Sequence, residues 1–196
     1  MKSIILMGIK HCGKSTQGRL LAEKLSLPFY DTDSVISEMT GKSPREIFTS
    51  GGESAFKLAE TAACKEIEKK LEKENAVIAT GGGICNNSEA LALLHKLGTF
   101  VFLMSSEKVA ADRICREAHT DENGKLTNLP AYIAKENPSN LQQVRAIFHD
   151  FYEERVRLYA GIADLSVKVD GTGGPCPKPV NTKRILSALG LNAEIN

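Results

Sequence analysis

The chain has no apolar run approaching the roughly 18 residues that a membrane span needs, so no transmembrane helix is expected. It has no charge of one sign to offer a polyanion: 25 basic residues face 24 acidic ones, a net charge of +1. That removes the electrostatic argument for a nucleic-acid or acidic-membrane partner. Paired cysteines are missing too. Cys12, Cys64, Cys85, Cys115 and Cys176 are odd in number and widely spaced, with no Cys-x-x-Cys pair. The four histidines (His11, His95, His119, His149) do not gather near them at zinc spacing. Free thiols in a reducing cytoplasm are the expectation. No repeat or linker divides the 196 residues, which are too few for two full-sized domains, so 1–196 is expected to form one. The opening MKSIILMGIKHCGKS is short in its apolar part and leads straight into a Gly-Lys loop, so it reads as a strand and not as a signal peptide.

With 42% apolar and 25% charged residues the composition is that of an ordinary globular protein. Short apolar runs alternate with longer helical patterns. Strands are expected at Ser3–Met7, Pro28–Tyr30, Ala76–Ala79, Thr99–Met104 and Leu165–Val169. Helices are expected over Lys14–Leu25, where Leu20, Leu21 and Leu25 share a face, and near 33–40, 53–73, 88–97, 106–117, 139–160 and 181–190. Short strands of three to six residues separated by helices give βα units, hence a parallel sheet covered on both faces. Two stretches break the pattern: polar Glu117–Lys135, with a DENG turn and Pro130, and the Gly/Pro-rich Gly171–Pro179. Both read as loops, and a long polar loop in a compact enzyme is often a lid.

Gly8-Ile9-Lys10-His11-Cys12-Gly13-Lys14-Ser15 fits G-x-x-x-x-G-K-[ST] and continues with Thr16, directly after a strand and opening a helix. In that context glycines let backbone N–H groups curl around phosphate oxygens, and the helix N-terminus adds positive potential. Lys14 then reaches the β/γ oxygens and the Ser15 hydroxyl ligates Mg²⁺. Asp31-Thr32-Asp33 closes the second strand at the sheet edge where open α/β sheets bind ligands. In extended backbone both carboxylates project the same way: one can hold Mg²⁺, the other a substrate hydroxyl. Asp33 can instead simply cap the helix that follows.

Taken in order, these residues resemble a shikimate kinase through nearly the whole chain. The resemblance runs through the phosphate loop, Phe29-Tyr30-Asp31-Thr32-Asp33, Thr40-Gly41-Lys42-Ser43, Ile47-Phe48, Gly52-Glu53, Phe56 and Glu60. It continues in Ala79-Thr80-Gly81-Gly82-Gly83 and in Arg155-Val156-Arg157-Leu158-Tyr159. It implies a P-loop three-layer α/β sandwich, a five-stranded parallel sheet in the order 2-3-1-4-5 with helices on both faces, and a mobile lid. It implies transfer of the ATP γ-phosphate to the 3-hydroxyl of shikimate, with Mg²⁺. Lys14 and Asp33 would then be catalytic, with Asp33 binding the hydroxyl. Ser15 and Asp31 would hold the metal, and His11, Cys12, Gly13, Lys14, Ser15, Thr16 and Arg113 the nucleotide, Arg113 flanking adenine. Lys57 and Arg155 would grip the substrate carboxylate, while Gly82 and Gly83 let backbone approach its ring hydroxyls. About 33–60 would be the substrate-binding region and about 117–135 the lid. Apart from that resemblance, Lys57 is also placed to pair with Glu53 on a solvated helix face, and Arg155 is one of several charges in EERVR.

Three features depart from the family. Lys57 stands where an arginine is usual, which replaces a bidentate fork with a point charge. The lid reads Thr127-Asn128-Leu129-Pro130 where the family has Arg-Pro-Leu; Lys125 and Arg116 are the nearest basic residues, and Lys125 is the expected substitute on lid closure. His11 replaces a loop glycine, and Cys12 beside it suggests sensitivity to thiol reagents. The rival readings are a P-loop kinase for another small hydroxy-acid and a catalytically weak nucleotide- or shikimate-binding module. A monomer is the default for a near-neutral chain without heptads.

Overall fold

The computed structural model describes residues 2–72, 74–171 and 174–191. The all-apolar run after Ser3 makes β1 (Ser3–Met7) a strand buried along its whole length, which only a central position in a two-sided sheet provides. Chain order then gives α1 (Lys14–Leu25), β2 (Phe29–Asp31), α2 (Thr32–Thr40), α3 (Pro44–Leu71), β3 (Val77–Ala79), α4 (Ser88–Leu97) and β4 (Gly98–Met104). After these come α5 (Glu107–Glu117), α6 (Ala131–Ala134), α7 (Leu141–Ile162), β5 (Leu165–Lys168) and α8 (Lys178–Ala188). The five strands form one parallel sheet, β2-β3-β1-β4-β5, the order that the resemblance implies. Ile4, Ile5, Leu6, Val77, Ile78, Phe100, Val101 and Leu103 are inaccessible to water and form its centre.

The sheet register places the functional loops. Leu6 and Asp31 both stand beside Ala79, so β1, β2 and β3 end at the same level. The edge is then tied together beyond the ladder: the Thr80 N–H donates to the Leu6 carbonyl at 3.0 Å, and the Gly81 N–H donates to Thr32 Oγ1 at 2.9 Å. Thr32 is fully buried, so this bond is shielded from water.

Three expectations shift. Helix α3 begins at Pro44 and not near 53, because Ser43 and Glu46 form a capping box with proline at the first turn. It is broken at Gly52, whose φ of 73° only glycine adopts easily. Helix α8 likewise starts earlier, at Lys178 after Pro177. The third change concerns 117–135, which is not a loop throughout. His119–Thr120 pairs antiparallel with Leu126–Thr127 in an exposed hairpin. Beyond it Leu129 and Ile133 are buried, and the Tyr132 ring stacks on Phe151 at 3.5 Å. Two apolar anchors thus fasten the second half of the segment to the core.

Gly98 shows how closely the sheet is packed. A Cβ there would lie 2.1 Å from the Ser3 carbonyl oxygen, a rigid backbone atom. Gly98→Ala is therefore expected to destabilise the fold by about 1–3 kcal/mol. Chemical denaturation checks this, and an unchanged midpoint would contradict the register of β1 against β4.

Candidate active site

The loop between β1 and α1 is shaped by conformations that its residues pay for in different ways. Gly8 (φ 146°) crosses so close to β4 that a Cβ would sit 2.8 Å from the Leu103 carbonyl oxygen. His11 takes a left-handed φ of 65°, which costs a non-glycine residue on the order of 1 kcal/mol. Two groups of α5 hold it there: Arg113 donates to its carbonyl, and its imidazole meets Glu117 at 3.3 Å. Burial lowers the His11 pKa, with Lys10, Lys14 and Arg113 adding to that and Glu117 opposing it. Cys12 is buried with its sulfur against Gly8, so its thiol is covered by its own loop rather than presented to reagents. Gly13 forms the N-cap of α1, and Ser15 and Thr16 follow in the first turn, half-buried. Lys14 is buried, its ammonium donating to the carbonyls of Gly8 at 2.8 Å and Ile9 at 2.9 Å.

The two aspartates are arranged differently from the extended-strand expectation. β2 ends at Asp31, and Asp33 already lies in the first turn of α2. Asp31, not Asp33, is the N-cap: its Oδ1 accepts the Asp33 N–H at 3.1 Å. Its Oδ2 accepts the Ser15 hydroxyl at 2.5 Å, which joins β2 to the phosphate loop. The Asp33 carboxyl is open to solvent at the surface of the cleft but closely walled below. Desolvation by those walls raises its pKa, Asp31 raises it further, and Lys14 and Lys10 oppose both.

The glycine run brings the third wall in. A Cβ on Gly81 would stand 3.0 Å from Asp33 Oδ1 and 3.2 Å from Glu60 Oε1, and one on Gly82 would stand 3.3 Å from the Lys10 nitrogen. At Gly83 the nearest atom is an ordinary 3.9 Å away, in Phe56. Gly81, which the motif alone left without a role, is thus the position where a side chain would crowd the acidic site. Tyr159, fully buried, donates to the Gly82 carbonyl at 2.5 Å and fixes the run from the far side.

Glu60 and Asn87 were not legible as a pair in the sequence. Asn87 Nδ2 donates to Glu60 Oε2 and to the Lys57 carbonyl, both at 3.0 Å, while its Oδ1 caps α4 through Ala90. Glu60 is 1% exposed and its Oε1 has no hydrogen-bond partner. Burial pushes its carboxyl up to about 7, the charge of Asp33 adds to this, and Asn87, Lys57 and Arg155 oppose it.

The two expected carboxylate-binding cations differ. Lys57 pairs with Glu53 at 2.8 Å on a half-exposed helix face. Arg155 is half-buried, stacked 4.7 Å over Phe151, with Nη1 donating to Cys85 Sγ at 2.8 Å. Its Nε is buried without a partner. All five cysteines are free, as expected. A wide depression of about 710 Å³ lies between β5 and α8, lined in part by Lys168, Lys183 and Arg184. It contains no residue of the phosphate loop, so the chemistry and not the roominess of the surface locates the site.

A phosphate loop at the carboxyl edge of a β2-β3-β1-β4-β5 sheet, faced by carboxylates, defines the class of P-loop phosphate-handling α/β proteins. Within that class, the family model for shikimate kinase matches residues 10–173. A shikimate kinase from Aquifex aeolicus is 35% identical over 190 residues, covering 97% of each chain. The solved shikimate kinase from Bacteroides thetaiotaomicron superposes with a TM-score of 0.77 at 26% identity, covering 97% of this chain and 99% of that one. A shikimate kinase from Acinetobacter baumannii, solved in complex with shikimate, gives 0.75 at 25% identity over 99% and 96%. The chain belongs to the shikimate kinase family.

Glu60 supplies a pH test of this geometry. A carboxyl whose folded pKa is about 7 against 4.5 unfolded contributes stability that is complete below about 4.5 and lost as pH rises through 7. Glu60→Gln can keep the Asn87 bond but cannot titrate. Wild-type stability should therefore fall relative to the variant by about 2–3 kcal/mol between pH 4.5 and 8. Urea denaturation across that range checks it; parallel pH profiles would contradict the buried, half-satisfied carboxyl.

Proposed function

We propose that the chain transfers the γ-phosphoryl group of ATP to the 3-hydroxyl of shikimate, giving ADP and shikimate 3-phosphate. The observation that carries the reading is the meeting of the Lys14–Ser15 loop and Asp33 at one sheet edge, with family membership supplying the acceptor. Phosphoryl transfer needs mainly alignment and charge neutralisation. Lys14 leaves the Gly8 and Ile9 carbonyls for phosphate oxygens, which the start of α1 at Lys14 also favours. Asp33 accepts the substrate hydroxyl and orients or takes its proton, a role that suits a carboxylate whose proton affinity its surroundings raise. Arg155, with a free buried Nε and a guanidinium between Cys85 and Phe151, suits the substrate carboxylate, helped by Lys57 once it leaves Glu53. Gly82 and Gly83 offer backbone to the ring hydroxyls, and Arg113 borders the adenine.

Mg²⁺ fits the adjacent Ser15 hydroxyl and Asp31 carboxylate, two hard oxygen donors 2.5 Å apart, which leaves its other positions to water and phosphate. Bound there, the ion neutralises charge on the phosphate oxygens. In this reading 1–196 works as one cytoplasmic, monomeric domain, with about 33–60 receiving substrate and about 117–135 closing as a lid. A second reading, transfer to another small hydroxy-acid, is favoured by one observation: Lys57 is already engaged by Glu53.

A coupled ADP-release assay with MgATP and a panel of hydroxy-acids separates the two readings. Shikimate should give turnover, and Asp33→Ala should lower kcat on the order of 10²–10⁴-fold with nucleotide binding retained. Turnover only with another acceptor would overturn the assignment to shikimate. Lys57→Arg restores a bidentate donor and is expected to lower the KM for shikimate by about tenfold, or 1–2 kcal/mol. A marked rise in KM would contradict the role given to Lys57.

A further inference from the structure

The transferring phosphoryl group carries charge on three oxygens, and a cation delivered to them is worth several powers of ten in rate. The phosphate loop contains two lysines. Lys14 is buried and held by two carbonyls. Lys10 is exposed, in the centre of a turn closed by the Cys12 N–H and the Ile9 carbonyl at 3.3 Å. Its ammonium has no hydrogen-bond or ion-pair partner among the described residues. Its backbone lies against the glycine run, with the Lys10 nitrogen 3.3 Å and Cα 3.8 Å from where a Gly82 Cβ would be. The loop residue nearest the acceptor wall is therefore a free cation. Its charge is felt by the Asp33 carboxyl, which Lys10 and Lys14 both pull down. The expected lid, by contrast, holds no arginine between 118 and 134, and its one lysine there, Lys125, is exposed in the hairpin turn with its N–H bonded to Asp121.

We propose that Lys10 is a second catalytic cation, whose ammonium moves onto the transferring phosphoryl group and takes the post that the lid leaves without an arginine. The inference rests on the phosphoryl-transfer reading above. The bond from the γ-phosphorus to the β–γ bridging oxygen breaks, a bond to the acceptor oxygen forms, and the hydroxyl proton passes to Asp33. Lys10 keeps its protons and supplies only charge. The flexible stem of lysine suits this: it can stay in solvent until the phosphate arrives and then swing inward.

The test compares Lys10→Met, Lys10→Arg and Lys125→Ala in steady-state assays, together with binding of ADP alone and of ADP with aluminium fluoride, a mimic of the transferring phosphoryl group. Lys10→Met should lower kcat by about 10–100-fold. ADP affinity should stay within about threefold, and ADP–aluminium fluoride should bind more weakly by a factor close to the loss in kcat. Lys10→Arg should recover most of both. A kcat within about threefold of wild type in Lys10→Met, a larger loss in Lys125→Ala, or equal weakening of ADP and its fluoride complex would each overturn the proposal. Because the fluoride complex requires no acceptor, a wild-type protein that ignores shikimate would defeat the acceptor assignment while still allowing Lys10 to be judged.

Discussion

Everything at the site depends on the register of three parallel strands. With Leu6, Ala79 and Asp31 side by side, the chain leaves β1 as a phosphate loop, β2 as an acidic turn and β3 as a glycine run at one level. A slip of one residue in β2 would reverse its faces and carry Asp31 away from Ser15. The bonds just past the ladder, Thr80 to Leu6 and Gly81 to Thr32, lock the level where the ladder itself has ended. Neither bond involves a residue that handles phosphate, yet together they decide where the phosphate-handling residues stand.

On that frame the site is an arrangement of cations and carboxylates with different partners. Lys14 rests on carbonyls, Lys10 in solvent, Lys57 on Glu53 and Arg155 on a sulfur and an aromatic ring. Lys14, Lys57 and Arg155 have partners that an anionic ligand can displace, and Lys10 has none to give up among the described residues. The acids are treated in the opposite way: burial raises the proton affinity of both Asp33 and Glu60, with the charge of Asp31 adding at Asp33 and that of Asp33 adding at Glu60. Such pairing of displaceable cations with reluctant carboxylates suits a site that must receive several negative charges and one proton.

Much of this was legible in the sequence, and the reasons are local. The parallel sheet followed from alternating short apolar runs and helical patterns, its strand order from the family resemblance, and the phosphate loop from a motif whose spacing is fixed by backbone geometry. The break in α3 was not read from the sequence: helix was expected only from about 53, and the turns before Gly52 depend on the Ser43–Glu46 box. Asp31 as the cap could not be distinguished from Asp33, since both types cap well and the choice turns on where β2 stops. Asn87 was invisible because its four partners come from α3 and α4, elements that meet only in the fold. The segment 117–135 read as polar because its hairpin is polar, and the three buried residues Leu129, Pro130 and Ile133 were outvoted by their neighbours.

The most direct test of the account is ³¹P nuclear magnetic resonance of a reaction mixture containing the protein, MgATP and shikimate. The account predicts a new phosphomonoester signal coupled to the proton on carbon 3 of the ring, growing in step with ADP. ADP and inorganic phosphate without a phosphomonoester, or a signal coupled to a different ring proton, would contradict the placement of the acceptor hydroxyl at Asp33.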